Sequence, residues 1–242
     1  MKLGLGIVLF SLAGAANAQF FFDDFNRADS ADLGPNYTHV AGTSATRVIS
    51  NRAGNVAGNI NLSLVNAGNF SANYALTIVE ADIFHDGVAA TGYVSLSMGH
   101  NGVAAGGNGL YIKLQTQSGA TMFNTMGFYT GNGSGTTTFW TDPPVFFTLA
   151  TPFQNAHMTL WASDAATINV GLDTDFDGND DQVHTRHLNL GAMTFGTQVG
   201  LSVFGTNTTI DNFQASVVPE PASMAALGLG ALALVRRRRN KN

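Results

Sequence analysis

Between residues 19 and 218 no stretch holds apolar side chains at the 3.6-residue spacing of a helix. Short runs of alternating apolar and polar residues stand there instead, broken at close intervals by Gly, Asn and Pro. Residues 75–84 (ALTIVEADIF), 92–98 (GYVSLSM), 109–115 (GLYIKLQ), 122–129 (MFNTMGFY) and 157–162 (HMTLWA) each suit a pleated strand with one buried face. So do residues 167–172 (TINVGL), 183–188, 199–204 (VGLSVF) and 210–217 (IDNFQASV). Turn-forming clusters separate them at 99–109, 131–135 and Asp142-Pro143-Pro144. Lys and Glu, the usual surface helix formers, are nearly absent from this region. Many short strands between such turns predict an all-β sandwich or barrel. The Gly-rich loops lack a GK[ST] ending and precede no helix, so they are not phosphate cradles.

The chain's two ends have a different character. Lys2, then a mostly apolar run to Ala16, then Ala16-Asn17-Ala18, has the three parts of a secretory signal peptide. Residues 1–18 are therefore set apart, with cleavage expected between Ala18 and Gln19. Residues 222–235 form a second apolar stretch in which only Ser223 is polar. As a helix it would reach about 21 Å, against a hydrocarbon core of roughly 30 Å, which makes a short span. Arg236, Arg237, Arg238 and Arg239 close it and would stay on the cytoplasmic side. Pro219, Glu220 and Pro221 precede it, and two prolines keep that stretch extended and exposed.

Charge and cysteine content exclude several functions. Residues 19–218 carry five bases against fifteen acids, a net charge of −10, whereas the whole chain carries −5. An acidic domain with scattered bases has no electrostatic footprint for nucleic acid. With no cysteine there is no disulfide, thiolate metal site or Cys nucleophile.

The tail, Pro219-Glu220-Pro221 followed by a short apolar helix and an arginine cluster, is similar to the PEP-CTERM sorting signal. That resemblance implies recognition by an exosortase, a membrane transpeptidase. It implies transient anchoring in the inner membrane of a Gram-negative bacterium, then release to the surface or an exopolysaccharide matrix. The region between the ends resembles the concanavalin A-like, laminin-G-like jelly-roll superfamily. The matching residues are Asp24-Phe25-Asn26-Arg27-Ala28, Leu33-Gly34, Tyr37 in an aromatic position, and Asp211-Asn212-Phe213. The resemblance implies a jelly-roll β-sandwich over 19–218 whose first and last strands are neighbours, with Phe25 and Phe213 in the core. The sorting segment then occupies 219–242.

Candidate chemistry is sparse. Residues 171–182 (GLDTDFDGNDDQ) place Asp173, Asp175, Asp177, Asn179 and Asp181 at alternate positions around Gly178. Alternate oxygens before a Gly turn can converge on calcium. The loop resembles the front half of EF-hand and dockerin loops but has His184 at the twelfth position. An Asx-rich hairpin without metal is the alternative. Glu80-Ala81-Asp82-Ile83-Phe84-His85 starts the E-x-D-x-x-E pattern of lectin-fold glucanases and loses its last acid. Retaining hydrolysis needs two carboxyls. Glu80 and Asp82 are expected on the solvent face of a strand whose Leu76, Ile78 and Ile83 contribute to the core. Trp140, beside a Gly/Thr-rich loop, is a candidate platform for a sugar ring, whereas Trp161 is expected in the core. The function expected is that of a non-enzymatic exported protein that binds carbohydrate or builds matrix. The alternative is a degenerate glycoside hydrolase around Glu80.

Overall fold

The structure is a computed structural model. It describes residues 20–42, 45–58, 61–66, 70, 77–102, 108–117, 119–131, 139–189 and 195–217. The expected signal segment with its Ala18–Gln19 cleavage point, the Pro219-Glu220-Pro221 element and Arg236 to Arg239 lie outside these residues, as does Leu76.

The chain forms β1 (Phe20–Asp23), β2 (Tyr37–Gly42), β3 (Arg47–Ile49), β4 (Arg52–Gly54), β5 (Asn61–Val65), β6 (Thr77–His85), β7 (Gly92–His100) and β8 (Gly109–Thr116). It continues with β9 (Phe123–Gly131), β10 (Phe146–Phe153), β11 (Asn155–Ala162), β12 (Thr167–Asp173), β13 (Gln182–His187), β14 (Gln198–Phe204) and β15 (Thr208–Val217). No helix occurs among the described residues. One sheet has eight strands in the order β13-β12-β11-β6-β15-β4-β3, with β1 also on β15. The other has seven, in the order β10-β9-β8-β7-β14-β5-β2. Every pairing is antiparallel. This is the all-β, lectin-like jelly-roll sandwich that the sequence predicts.

The core lies between the sheets. Val79, Ala81 and Ile83 of β6, Met158 and Leu160 of β11, and Ile168 and Val170 of β12 face inward from one side. Val94, Leu96 and Met98 of β7, Ile112 and Leu114 of β8, and Leu201 and Val203 of β14 answer from the other. The period of two decides the remaining positions. Ile78 shares the parity of Glu80 and Asp82, so it stands half-buried on their outer face, not in the core beside Ile83. Trp161 is likewise outward, because Met158, Leu160 and Ala162 take the inner positions of β11.

The opening motif has a physical explanation. Asp23 accepts from the Phe25 N–H at 2.8 Å and holds Arg27 through two bonds of 2.6 and 3.0 Å. Arg27 also donates to the Leu33 carbonyl and lies over the Phe25 ring. This clamp holds Phe25 at φ 49°, in left-handed backbone that is unusual for a bulky residue. The ring is thereby turned fully into the core, stacked on Tyr37. β1 pairs with the last strand, Phe20 opposite Ser216 and Asp23 opposite Phe213, and Phe213 is fully buried.

Candidate functional site

The outer face of the seven-stranded sheet carries a patch that no single stretch of sequence displays. Alternation turns Tyr93, Ser95 and Ser97 of β7 to that face, and antiparallel pairing lines them up with three other strands. Ser95 lies between Ser202 on β14 and Lys113 on β8, and Lys113 in turn faces Gly127 on β9. On one flank of that row, Phe204, Tyr93, Gln115 and Thr125 lie abreast. On the other flank lie Gly200, Ser97, Tyr111 and Tyr129.

The rings form two stacked pairs, Tyr93 with Phe204 at 5.1 Å and Tyr111 with Tyr129 at 5.5 Å. Gly127 is needed for this. A Cβ there would come within 2.3 Å of the Tyr129 ring, which leans across the glycine toward Lys113. The Lys113 Nζ is 4.4 Å from the Tyr93 centroid, 5.1 Å from Tyr129 and 5.5 Å from Tyr111. These π faces are its only partners among the described residues, with no ion pair and no hydrogen bond. Burial pushes its pKa down from 10.5 to about 8.

The hydroxyls of Tyr93, Ser95, Ser97 and Ser202 are buried and have no hydrogen-bond partner among the described residues. Desolvation raises the Tyr93 phenol; Ser202 lies close enough to offset part of that rise, but not in hydrogen-bonding geometry. Half-buried Tyr129, Gln115 and Phe204 mark where the patch meets solvent. Buried polar groups are normally bonded. A floor of unbonded hydroxyls between aromatic walls, around one cation, has the chemistry of a polyol-binding surface.

The eight-stranded sheet is polar on its outer face too, but its two central carboxylates, Glu80 and Asp82, are matched. Glu80 accepts from the Gln214 amide. Asp82 accepts from Asn212 at 2.7 Å and bonds His157 at 2.7 Å. Desolvation alone would raise Asp82, but His157 and Asn212 outweigh it and its pKa is lowered. His157 is raised, chiefly by its bond to Asp82.

Beside this network, the β12–β13 hairpin loop brings Asp173, Asp175 and Asp177 together, with one oxygen of each within 4.8 Å of the others. Asp173 is buried and accepts from the Phe176 N–H at 2.7 Å and the Gly178 N–H at 2.8 Å. Burial pushes Asp173 up, but these N–H groups more than reverse it. Asp175 is raised: the Asp177 N–H lowers it, but desolvation and the charges of Asp177 and Asp181 prevail. Asn179 bonds to Asp177, whereas Asp181 turns to the Thr174 N–H and hydroxyl. Asp180 lies over Gly171, in space a side chain there would fill.

Trp140 is half-buried, edge-on to Phe128 at 5.4 Å, and bridges to Leu188. The tyrosine–lysine patch is absent from the sequence reading. Its signal is faint: serines and tyrosines two apart in residues 92–98 and 109–115, and a stretch from 87 to 141 in which Lys113 is the only formal charge.

Comparison with known proteins bears on both fold and tail. Residues 217–239 match the PEP-CTERM protein-sorting motif, so the chain carries that signal, which indicates export and membrane-anchored sorting. No curated protein matches the chain. Among solved structures, the CBM2 module of the Lactobacillus casei BL23 phage J-1 evolved Dit is similar at TM-score 0.50 and 12% identity. That match covers 84% of this chain and 98% of the module. The exoplasmic/lumenal domain of VIP36, in a Ca2+/Man2-bound form, is similar at TM-score 0.52 and 9% identity, covering 84% of this chain and 90% of that domain. At such identities the likeness establishes the jelly-roll, lectin-like fold.

Proposed function

We propose that this is an exported, non-enzymatic carbohydrate-binding protein, delivered by exosortase to the cell surface or exopolysaccharide matrix of a Gram-negative bacterium. In this reading residues 1–18 are removed after Ala18, residues 19–218 form the binding domain, and residues 219–242 are the sorting segment. Pro219, Glu220 and Pro221 are presented to the exosortase, and Arg236 to Arg239 hold the tail inside. The single observation that carries binding is the outer face of the seven-stranded sheet, where buried, unbonded serine and tyrosine hydroxyls lie among stacked rings. A sugar can supply the missing hydrogen bonds and lay its C–H face on Tyr129. The fold of carbohydrate-recognising modules supports the reading. Trp140 is a secondary contact at most, since its ring is committed to Phe128.

A glycan array tests the proposal. The protein should retain at least one class of polysaccharide, and Tyr129→Ala should weaken retention about tenfold, the order of one ring contact. Retention of nothing overturns binding. The absence of enzymatic activity rests on Glu80 and Asp82 being held by Gln214, Asn212 and His157. Reducing-sugar release that disappears in Glu80→Ala would favour the hydrolase reading instead.

Calcium is the cofactor that fits Asp173, Asp175 and Asp177, with the Asn179 side and the loop backbone completing the set. A cation would relieve the crowding that raises Asp175. Its saturation should raise the melting temperature, by about 2.7 kcal/mol of stability at a hundred times Kd. An unchanged melting curve in calcium and in chelator overturns it.

A further inference from the structure

The proposed glycan face has a chemical preference written into its charge. From residue 87 to residue 141 the only formally charged side chain is Lys113. None of the strands β2, β5, β7, β8, β9, β10 and β14 contains an aspartate or glutamate. The sheet's buried histidine, His100, is held down to about 4 by desolvation and is neutral. Lys113, only 8% exposed, therefore stands alone in the middle of the patch, with the rings of Tyr93, Tyr111 and Tyr129 for company. A buried cation without a carboxylate is costly, and a cation–π contact returns only part of that cost. If the face bound neutral sugars alone, a serine or glutamine in this row would serve at no such cost.

The surrounding hydroxyls donate as well as accept. Ser95 lies directly across from Lys113, with Ser202 beyond it, and neither hydroxyl has a partner. One ammonium and two hydroxyl donors on one row can converge on a carboxylate. Of the strand acids, Glu80, Asp82, Asp173 and Asp211 are on the other sheet; the remaining acids lie at its edge strand or in connecting loops, Asp142 between β9 and β10 among them. An anionic chain that approaches the seven-stranded sheet meets no opposing charge on the strands.

We infer that the outer face of the seven-stranded sheet selects acidic polysaccharides, with the carboxylate of a uronate ring seated on Lys113, Ser95 and Ser202 and the ring itself against Tyr129. This rests on the carbohydrate-binding reading above and adds the ligand's charge.

The test measures affinity for polygalacturonate and for the same polymer after reduction of its carboxyl groups. The protein carries Arg236→Gln, Arg237→Gln, Arg238→Gln and Arg239→Gln, so that the arginine tail cannot capture a polyanion. Polygalacturonate should bind at least about tenfold more tightly than its reduced form, the usual worth of one charge-assisted contact. Lys113→Met should erase that difference. Circular dichroism checks that the variant folds. A second measurement needs no variant at Lys113. The preference should fade as pH rises from 7 to 9.5, because the lysine loses its proton while the uronate stays ionised; the phenols of Tyr93, Tyr111 and Tyr129 are the other titratable groups facing it. Equal affinity for both polymers overturns the inference and leaves carbohydrate binding standing. Binding to neither overturns the inference, and the glycan array then decides whether carbohydrate binding stands. A preference that survives Lys113→Met, or that is flat with pH, also overturns the inference.

Discussion

The outer faces of the two sheets are both polar, both partly or wholly buried, and opposite in how their polar groups are satisfied. On the eight-stranded sheet the acids have partners: Glu80 has Gln214, and Asp82 has Asn212 and His157. On the seven-stranded sheet, among the described residues, Ser95, Ser97, Ser202 and the Tyr93 hydroxyl have none, and Lys113 has only rings. A closed network stabilises a surface and needs nothing from outside. Buried donors left open cost free energy in the unliganded protein, and a ligand can return it. The contrast therefore separates structure from function better than charge does. The carboxylate-rich face that first attracts attention is the self-sufficient one.

Three measurements probe the contrast between the two faces. The largest effect is expected in the core that the sheets share. Phe213→Ala should cost about 3–5 kcal/mol, read as a large drop in the melting temperature. A loss below 1 kcal/mol would mean that the closing strand contributes little.

Next comes Lys113→Met, which should stabilise the unliganded protein while it impairs binding. The lysine's pKa falls from 10.5 to about 8 in the folded chain. Between these values the unfolded chain binds the proton and the folded chain does not, so stability rises with pH across that window. Below pH 8 the penalty is complete, roughly 3 kcal/mol, and the methionine variant should be more stable by up to that amount. Above pH 10.5 the gain should vanish. A methionine variant less stable at pH 7 would place Lys113 among the structural residues.

The smallest effect belongs to the closed network. His157 is raised by its bond to Asp82, so its contribution is present below pH 6.5 and is lost as pH rises through the folded value. His157→Gln should cost at most about 1 kcal/mol at pH 5.5, since the pair is partly exposed, and less at pH 8. Urea midpoints at the two pH values measure it. An equal cost at both would show that packing, not charge, holds the histidine.

Much of the fold was legible because half-buried strands alternate. The runs at 75–84, 92–98, 109–115 and 157–162 all lie within or across observed strands. β5 escaped notice because it is buried on both sides, so NLSLV has no polar face to alternate with. β10 was hidden by Pro152, which argues against a strand except at a sheet edge, where β10 does lie. Ile78 and Trp161 were misplaced by reading hydrophobicity before parity. The aspartate cluster of the β12–β13 loop was visible because its residues are contiguous. The tyrosine–lysine face was not, because it takes one or two residues from each of four strands and exists only once β14, β7, β8 and β9 lie side by side.

The pairing of the first strand with the last has a mechanical side. β15 runs from residue 208 to residue 217, where the sorting motif begins. It is held along its length by β6 on one edge and by β1 and β4 on the other. A pull delivered through residue 217 acts along the axis of that strand. The hydrogen bonds on both edges are then loaded together in shear and cannot be unzipped one at a time. The domain hangs from its best-secured strand, and the chain end that enters the fold at Phe20 locks the end that leaves it.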